Sequence, residues 1–213
     1  MTHATRRTGV LTAVAIALSV SVTACGSDDS TTAGSGGGDT GAAGSSAAAG
    51  SGSDIADRTF GPGCSSIPSS GSGSFDGMVK DPVATAASNN PLLSTLVTAV
   101  TKAGLVDTLN GADGLTVFAP TNDAFAKIPA AQLKKVLANK KMLTEILTHH
   151  VISGQLAPSS IDGSHTTLDK DHVKVSGGTD GMTVDGAKVL CGNIPTANAT
   201  VYVIDTVLMP QDM

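Results

Sequence analysis

Leu115-Thr-Val-Phe-Ala-Pro-Thr-Asn-Asp-Ala-Phe125 holds two elements and the joint between them. Leu115 to Ala119 is an apolar run closed by a proline, which predicts a buried strand. Thr121-Asn122-Asp123 then reads as a helix start. The side chain of Thr121 or Asn122 can accept from the amides left open in a first helical turn. Asp123 suits the positive end of the helix dipole. Ala124, Phe125 and Ile128 would anchor that short helix.

A second apolar run, Val201 to Leu208 within Thr200-Val-Tyr-Val-Ile-Asp-Thr-Val-Leu-Met-Pro210, is nearly continuous, as a central strand should be. A third segment, Ile146-Leu-Thr-His-His-Val-Ile-Ser-Gly-Gln-Leu156, ends a helix. Its apolar stripe runs through Leu143, Ile146, Leu147 and His150, and Gly154 closes it. Leu133, Val136 and Leu137 form a similar stripe just before.

Around these segments the remaining elements fall into order. Asp81-Pro82 opens a helix with Val83, Ala86 and Ala87 on one face. Asn89-Asn-Pro91 breaks the chain. Leu92, Leu93, Leu96, Val97 and Val100 recur at helical spacing up to Gly104, and a short helix follows over Leu105 to Leu109. From Thr166 onward the period changes. Val173 and Val175 alternate with polar neighbours, and Asp185-Gly186 between two short apolar runs signals a hairpin. Helices first and a sheet later predict an α+β domain.

The chain has no Trp, one Tyr and four Phe, so its core must be aliphatic. A formal net charge of −5 argues against a nucleic-acid partner. Nucleophile-elbow, Cys-x-x-Cys, phosphate-loop and His-Glu-x-x-His patterns are all missing, and Glu145 is the sole glutamate. Gly36-Gly-Gly-Asp-Thr-Gly41 spells a dinucleotide fingerprint, but no strand precedes it and no helix follows. A non-enzyme without cofactor or metal is expected. Adjacent histidines such as His149 and His150 do not share a helix face, which makes them poor joint metal ligands.

The N-terminal stretch reads as an address. Arg6-Arg7 precede an uncharged apolar run from Val10 to Val22, too short to span a membrane. It ends in Val22-Thr-Ala-Cys25, which resembles a bacterial lipobox. Residues 1–24 are then a lipoprotein signal peptide, and Cys25 is the lipidated residue. More than one acyl chain at Cys25 would give stable anchoring, facing outward from the cell membrane. Gly26 to about Ser53 is almost all Ser, Gly, Ala, Thr and Asp, too polar to fold. Residues 25–60 are therefore assigned to the anchor and its tether, and 61–213 to one globular domain. With Cys25 modified, Cys64 and Cys191 remain. Two cysteines in an exported chain most simply pair; two free or intermolecular thiols are the alternative.

The three segments, in their order and spacing, resemble the fasciclin domain, a secreted adhesion-type module. Gly61-Pro-Gly-Cys64, Asp81-Pro-Val-Ala-Thr-Ala-Ala-Ser-Asn-Asn-Pro91, Val106-Asp-Thr-Leu109 and Thr196-Ala-Asn-Ala-Thr-Val-Tyr202 extend the likeness toward mycobacterial surface antigens of that family. The resemblance implies a β-sandwich or wedge with helices along one edge, and it supports the Cys64–Cys191 pairing. It implies motif roles for Thr121, Asn122, Asp123, His150 and Asp205. His150 would be a half-buried, hydrogen-bonded structural residue, and His149, at the variable position beside it, would be exposed. Asn122-Asp123 has two readings, a helix cap or an acidic contact for a surface receptor. Lys134, Lys135, Lys140 and Lys141 likewise form either a solvated face or a contact for anionic headgroups or polysaccharide. Asn198-Ala199 and Tyr202 depart from the family's usual Asn-Gly and histidine. The function implied is adhesion to a matrix, glycan or envelope partner. The alternative is carriage of a small hydrophobic ligand or lipid between helices and sheet.

Overall fold

A computed structural model describes residues 52–210. The expected signal peptide, Cys25 and the tether as far as residue 51 lie outside them. In chain order the described elements begin with α1 (Gly52–Ala56), a 3-10 turn (Pro62–Ser66), α2 (Phe75–Met78) and α3 (Val83–Ser88). A second 3-10 turn (Pro91–Leu93), α4 (Ser94–Ala103), α5 (Val106–Gly111) and β1 (Leu115–Pro120) follow. Next come α6 (Asn122–Ala126), α7 (Ala130–Ala138), α8 (Lys140–His149) and β2 (Val151–Ser153). The chain finishes with β3 (Gly163–Thr166), β4 (His172–Ser176), β5 (Thr183–Val184), β6 (Ala187–Pro195) and β7 (Ala199–Ile204). Every described helix precedes β2, the α+β order read from the sequence.

The strands form one seven-stranded sheet in the order β2-β1-β7-β6-β5-β4-β3. Second and third from one end, β1 and β7 run parallel, in register from Leu115 opposite Ala199 to Pro120 opposite Ile204. Both are buried on two faces. Leu115, Val117 and Ala119, with Ala199, Val201 and Val203, pack against the helices. Phe118, Tyr202 and Ile204 point the other way, into a second core with Val173, Val175 and Val184. Two-faced burial removes the polar alternation of a half-exposed strand, which is why both segments read as unbroken apolar runs.

The sheet bends over this second core. Two register shifts in β6, between Val189 and Cys191 and between Cys191 and Ile194, supply the bend. Asp185 and Gly186, both at positive φ (47° and 83°), turn β5 tightly into β6. The two ends of the sheet then meet: Ile152 bridges Thr167, and the Leu168 N–H donates to the Val151 carbonyl at 2.9 Å. The expected sandwich or wedge is thus a single sheet folded almost onto itself.

Cys64 and Cys191 are joined, with Cα atoms 4.8 Å apart. The domain begins earlier than the expected boundary at residue 61. Ile55 is buried, and Phe60 exchanges backbone hydrogen bonds with Gly192. The Phe60 ring lies on that glycine so closely that a Cβ there would sit 2.4 Å from Cζ. Ile55 and Phe60 are the large apolar residues at the end of an otherwise small and polar stretch. Burying them offsets the cost of ordering residues 54–60.

The disulfide closes a sequence separation of 127 residues. Replacing both cysteines by serine is expected to lower unfolding free energy by about 4–5 kcal/mol on the chain-entropy model. Urea unfolding of the two forms measures this, and peptide mapping of non-reduced protein should recover the linked pair.

Candidate functional site

The joint after β1 sits beside the carboxyl end of β7, and each motif side chain there has a distinct task. Thr121 is the cap: its Oγ1 accepts from the Ala124 N–H at 3.2 Å. Asn122 reaches away from its own helix. Its Oδ1 accepts from the Thr95 N–H (2.9 Å) and the Ser94 hydroxyl (3.2 Å), and its Nδ2 donates to the Pro91 carbonyl (2.9 Å). It therefore fastens the start of α4 to the start of α6. Asp123 is exposed in the first turn of α6, and its carboxylate makes no hydrogen bond or ion pair with the described residues.

Asp205 closes the other side. It accepts from Lys127 Nζ at 2.9 Å and from the Lys188 N–H at 2.8 Å, and the Thr206 hydroxyl donates to it at 3.0 Å. Burial raises its pKa, but these donors outweigh burial and hold the carboxyl below its ordinary range. Between the two acids lies a cleft of about 340 Å³ lined by Leu92, Asn122, Asp123, Lys127, Leu190 and Asp205. It combines apolar walls with one free carboxylate and one ion pair, a lining that suits a polar or cationic side chain better than an oil.

The histidine pair departs from expectation. His149 is 1% exposed, not solvated, and its Nδ1 lies 3.0 Å from Asp169 Oδ2. Asp169 is fixed in turn by the Thr167 hydroxyl. The two rings do point different ways, as helix geometry requires. However, α8 ends between the helix layer and the folded sheet, so both directions lead inward. Nothing in the sequence links His149 to the turn at 167–171, which only the sheet's closure brings near.

His150 is buried rather than half-buried. Its Nδ1 is 2.7 Å from the Ile146 carbonyl, and its Nε2 is 2.9 Å from the Leu208 amide nitrogen. The amide must donate to Nε2, so the proton sits on Nδ1 and the ring is neutral. Its role is to join α8 to the C-terminal segment.

Two further side chains carry positions the sequence reading left without a role. Asn198 Oδ1 accepts from the Val83 N–H at 2.9 Å, and its Nδ2 donates to the carbonyls of Leu109 (2.8 Å) and Ala112 (2.9 Å). It pins α3 and α5 to the start of β7. Tyr202 is wholly buried and donates to the Leu156 carbonyl at 2.8 Å. Burial pushes its phenol well above its ordinary pKa.

Lys134, Lys135, Lys140 and Lys141 are exposed on α7 and the start of α8, away from the Asp123 cleft. Between α3–α5 and the sheet there is an apolar cavity of about 40 Å³, walled by residues including Val83, Leu96, Val100 and Val117. Among the described residues no group of three or more His, Cys, Asp or Glu could hold a metal ion.

The His150 geometry makes stability pH-dependent. Burial lowers its pKa from 6.5 to about 4, helped by His149 and opposed by the Ile146 carbonyl and Asp169. The unfolded chain therefore takes up this proton first as pH falls. The contribution is complete above about pH 6.5 and is lost progressively toward pH 4, by about 3 kcal/mol in all. Urea unfolding across this range should show the slope, and His150→Gln should remove that part of it while also lowering stability at neutral pH.

Comparison with known proteins agrees with this architecture. The model of the Fasciclin domain matches residues 91–210. The chain is 51% identical over 166 residues to the cell surface glycolipoprotein MPB83 of Mycobacterium bovis, covering 74% of this chain and 75% of that protein. The same figures hold for the cell surface glycolipoprotein MPT83 of Mycobacterium tuberculosis. It is 48% identical over 158 residues to the immunogenic protein MPB70 of Mycobacterium bovis, covering 70% of this chain and 81% of that one. Among solved structures, a FAS1 domain pair from the insect cell adhesion molecule fasciclin I superposes with a TM-score of 0.52 at 16% identity. That match covers 64% of this chain and about half, 53%, of the pair. On the domain match and these identities, the chain belongs to the fasciclin domain family.

Proposed function

We propose that this chain is a lipid-anchored, non-enzymatic surface protein whose fasciclin domain binds a matrix protein, a glycan or another envelope component. The observation that carries the reading is the division of labour in Thr121-Asn122-Asp123. Thr121 is consumed by capping and Asn122 by fastening α4, whereas the Asp123 carboxylate stands free at the rim of a cleft. A carboxylate that makes no hydrogen bond or ion pair with the described residues is available to a partner. The anchor reading rests on Val22-Thr-Ala-Cys25 and gains support from relatives named as surface glycolipoproteins. The non-enzymatic reading gains support from the buried histidine pair, in which Nδ1 of His149 contacts Asp169 and both ring nitrogens of His150 are hydrogen-bonded within the fold.

The carrier reading is weaker. Ligand sites run to about 300–1,000 Å³, and the apolar cavity between helices and sheet holds about 40 Å³. A hydrophobic guest would have to part α3–α5 from the sheet, against the three hydrogen bonds of Asn198 described above.

Affinity capture on the immobilised chain, from envelope extracts and host matrix, tests the reading. A protein or glycan should be retained, competed by soluble chain, and held about tenfold more weakly by Asp123→Asn with the melting temperature unchanged. Retention of a single hydrophobic small molecule that survives high salt would favour the carrier; equal retention by Asp123→Asn would remove the cleft from the account. Separately, Cys25→Ser should abolish acyl labelling of the chain and make its membrane association removable by salt.

A further inference from the structure

Residues 124–144 contain five of the chain's thirteen basic residues and none of its eighteen acidic ones. In a chain of net charge −5, this block is a sharp local reversal. One of the five, Lys127, is spent on Asp205. Lys134, Lys135, Lys140 and Lys141 are exposed and make no ion pair among the described residues, and Glu145, one turn beyond Lys141, pairs with none of them. Lys140 also sits over the carboxyl end of α4, near Gly104.

The helix that carries two of these lysines is lightly packed. Only Val136 of α7 is buried. Beside it runs an open groove of about 550 Å³ in which Lys135 stands with Ala131, Val136, Met142, Met209 and Pro210. Met209 is 39% exposed, one of the two large apolar side chains so exposed among the described residues. Lys135 therefore borders an apolar strip formed by two methionines, and Lys134, Lys140 and Lys141 are exposed on the same two helices.

We infer that the α7–α8 face, with Met142 and Met209, docks onto an anionic lipid surface. Charge sign and side-chain type both select that partner. Arginine recognises a defined carboxylate or phosphate by a planar two-point contact, whereas lysine is a mobile point charge suited to a diffuse layer of headgroups. All the free cations here are lysines. Their alkyl stems can lie along apolar surface while the ammonium stays in the headgroup layer. A soluble polyanion would satisfy the lysines and leave the methionines idle.

This deepens the surface-binding reading, and it rests on that reading only for the presence of a membrane nearby. The face is distinct from the Asp123 cleft, so a tethered domain could lie down on the membrane while its cleft stays accessible.

The test is co-flotation of the unlipidated chain from residue 26 onward, which lacks both the anchor and the apolar signal. Vesicles of phosphatidylcholine alone are compared with vesicles containing phosphatidylglycerol. The chain should float only with the phosphatidylglycerol vesicles and should be released by salt. Lys134→Gln, Lys135→Gln, Lys140→Gln and Lys141→Gln together should cut partitioning about a hundredfold or more, since each surface lysine contributes about fivefold. Met142→Ser with Met209→Ser should weaken it without altering the salt dependence. Thermal melts establish that each variant is folded. Partitioning that ignores lipid charge, an unaffected four-lysine variant, or binding to dextran sulfate with no methionine effect would each overturn the proposal. Loss of capture by Asp123→Asn bears only on the cleft, so the two readings can fail separately.

Discussion

The parallel ladder between β1 and β7 sets the positions of the other layers. Its outward residues, Leu115, Val117, Ala119, Ala199, Val201 and Val203, form the floor on which the helices lie. Its inward residues, Phe118, Tyr202 and Ile204, form the roof of the folded half of the sheet. Each large apolar side chain moved out of water there contributes about 1.5–3 kcal/mol, and the same backbone ladder aligns both sets. The ladder also brings Thr121–Asp123 and Asp205 together, since each lies just beyond the carboxyl end of its strand.

Polar side chains then hold the helices to this floor. Asn122 and Asn198 each bond to backbone groups more than twenty-five residues away in sequence. Asn110 adds a third fastening, with its Oδ1 accepting from the Ala84 N–H at 3.0 Å. Short helices such as α3, α5 and α6 have too few turns to be stable alone. Fastening end groups of α3, α4 and α5 to distant amide side chains removes a cost that would otherwise fall on each helix. Among the described residues no buried side-chain nitrogen or oxygen is left without a partner.

Much of this was legible in the sequence. The unbroken apolar runs gave the two central strands, Asp185-Gly186 gave the hairpin, and Gly104 marked the end of α4. The Cys64–Cys191 bridge could be argued from the cysteine count and the resemblance together. What escaped was everything created by closure of the sheet. His149 looked solvent-facing because periodicity describes one helix and knows nothing of the turn at 167–171. Asn122 looked like a local cap because capping rules are local, whereas its partners lie at 91–95. Phe60 reads as part of the tether because its seat on Gly192 exists only once β6 has bent. Asp123 reads equally as cap or contact, and only the partners that Thr121 and Asn122 find in the folded chain separate those tasks.

The bridge between Cys64 and Cys191 also determines how the domain responds to being pulled. Tension arriving along the chain from the N-terminal side reaches Cys64 and crosses sulfur directly to Cys191 in β6. The intervening chain, which includes α2 to α8 and β1 to β5, is bypassed by a covalent shunt. Between that point and the C-terminal strand, load falls on the β6–β7 ladder. When the load leaves through the C-terminal end, the helices held by asparagine side chains lie outside that force path. A domain pulled between its two ends would keep its helices in place until the β6–β7 ladder gives way.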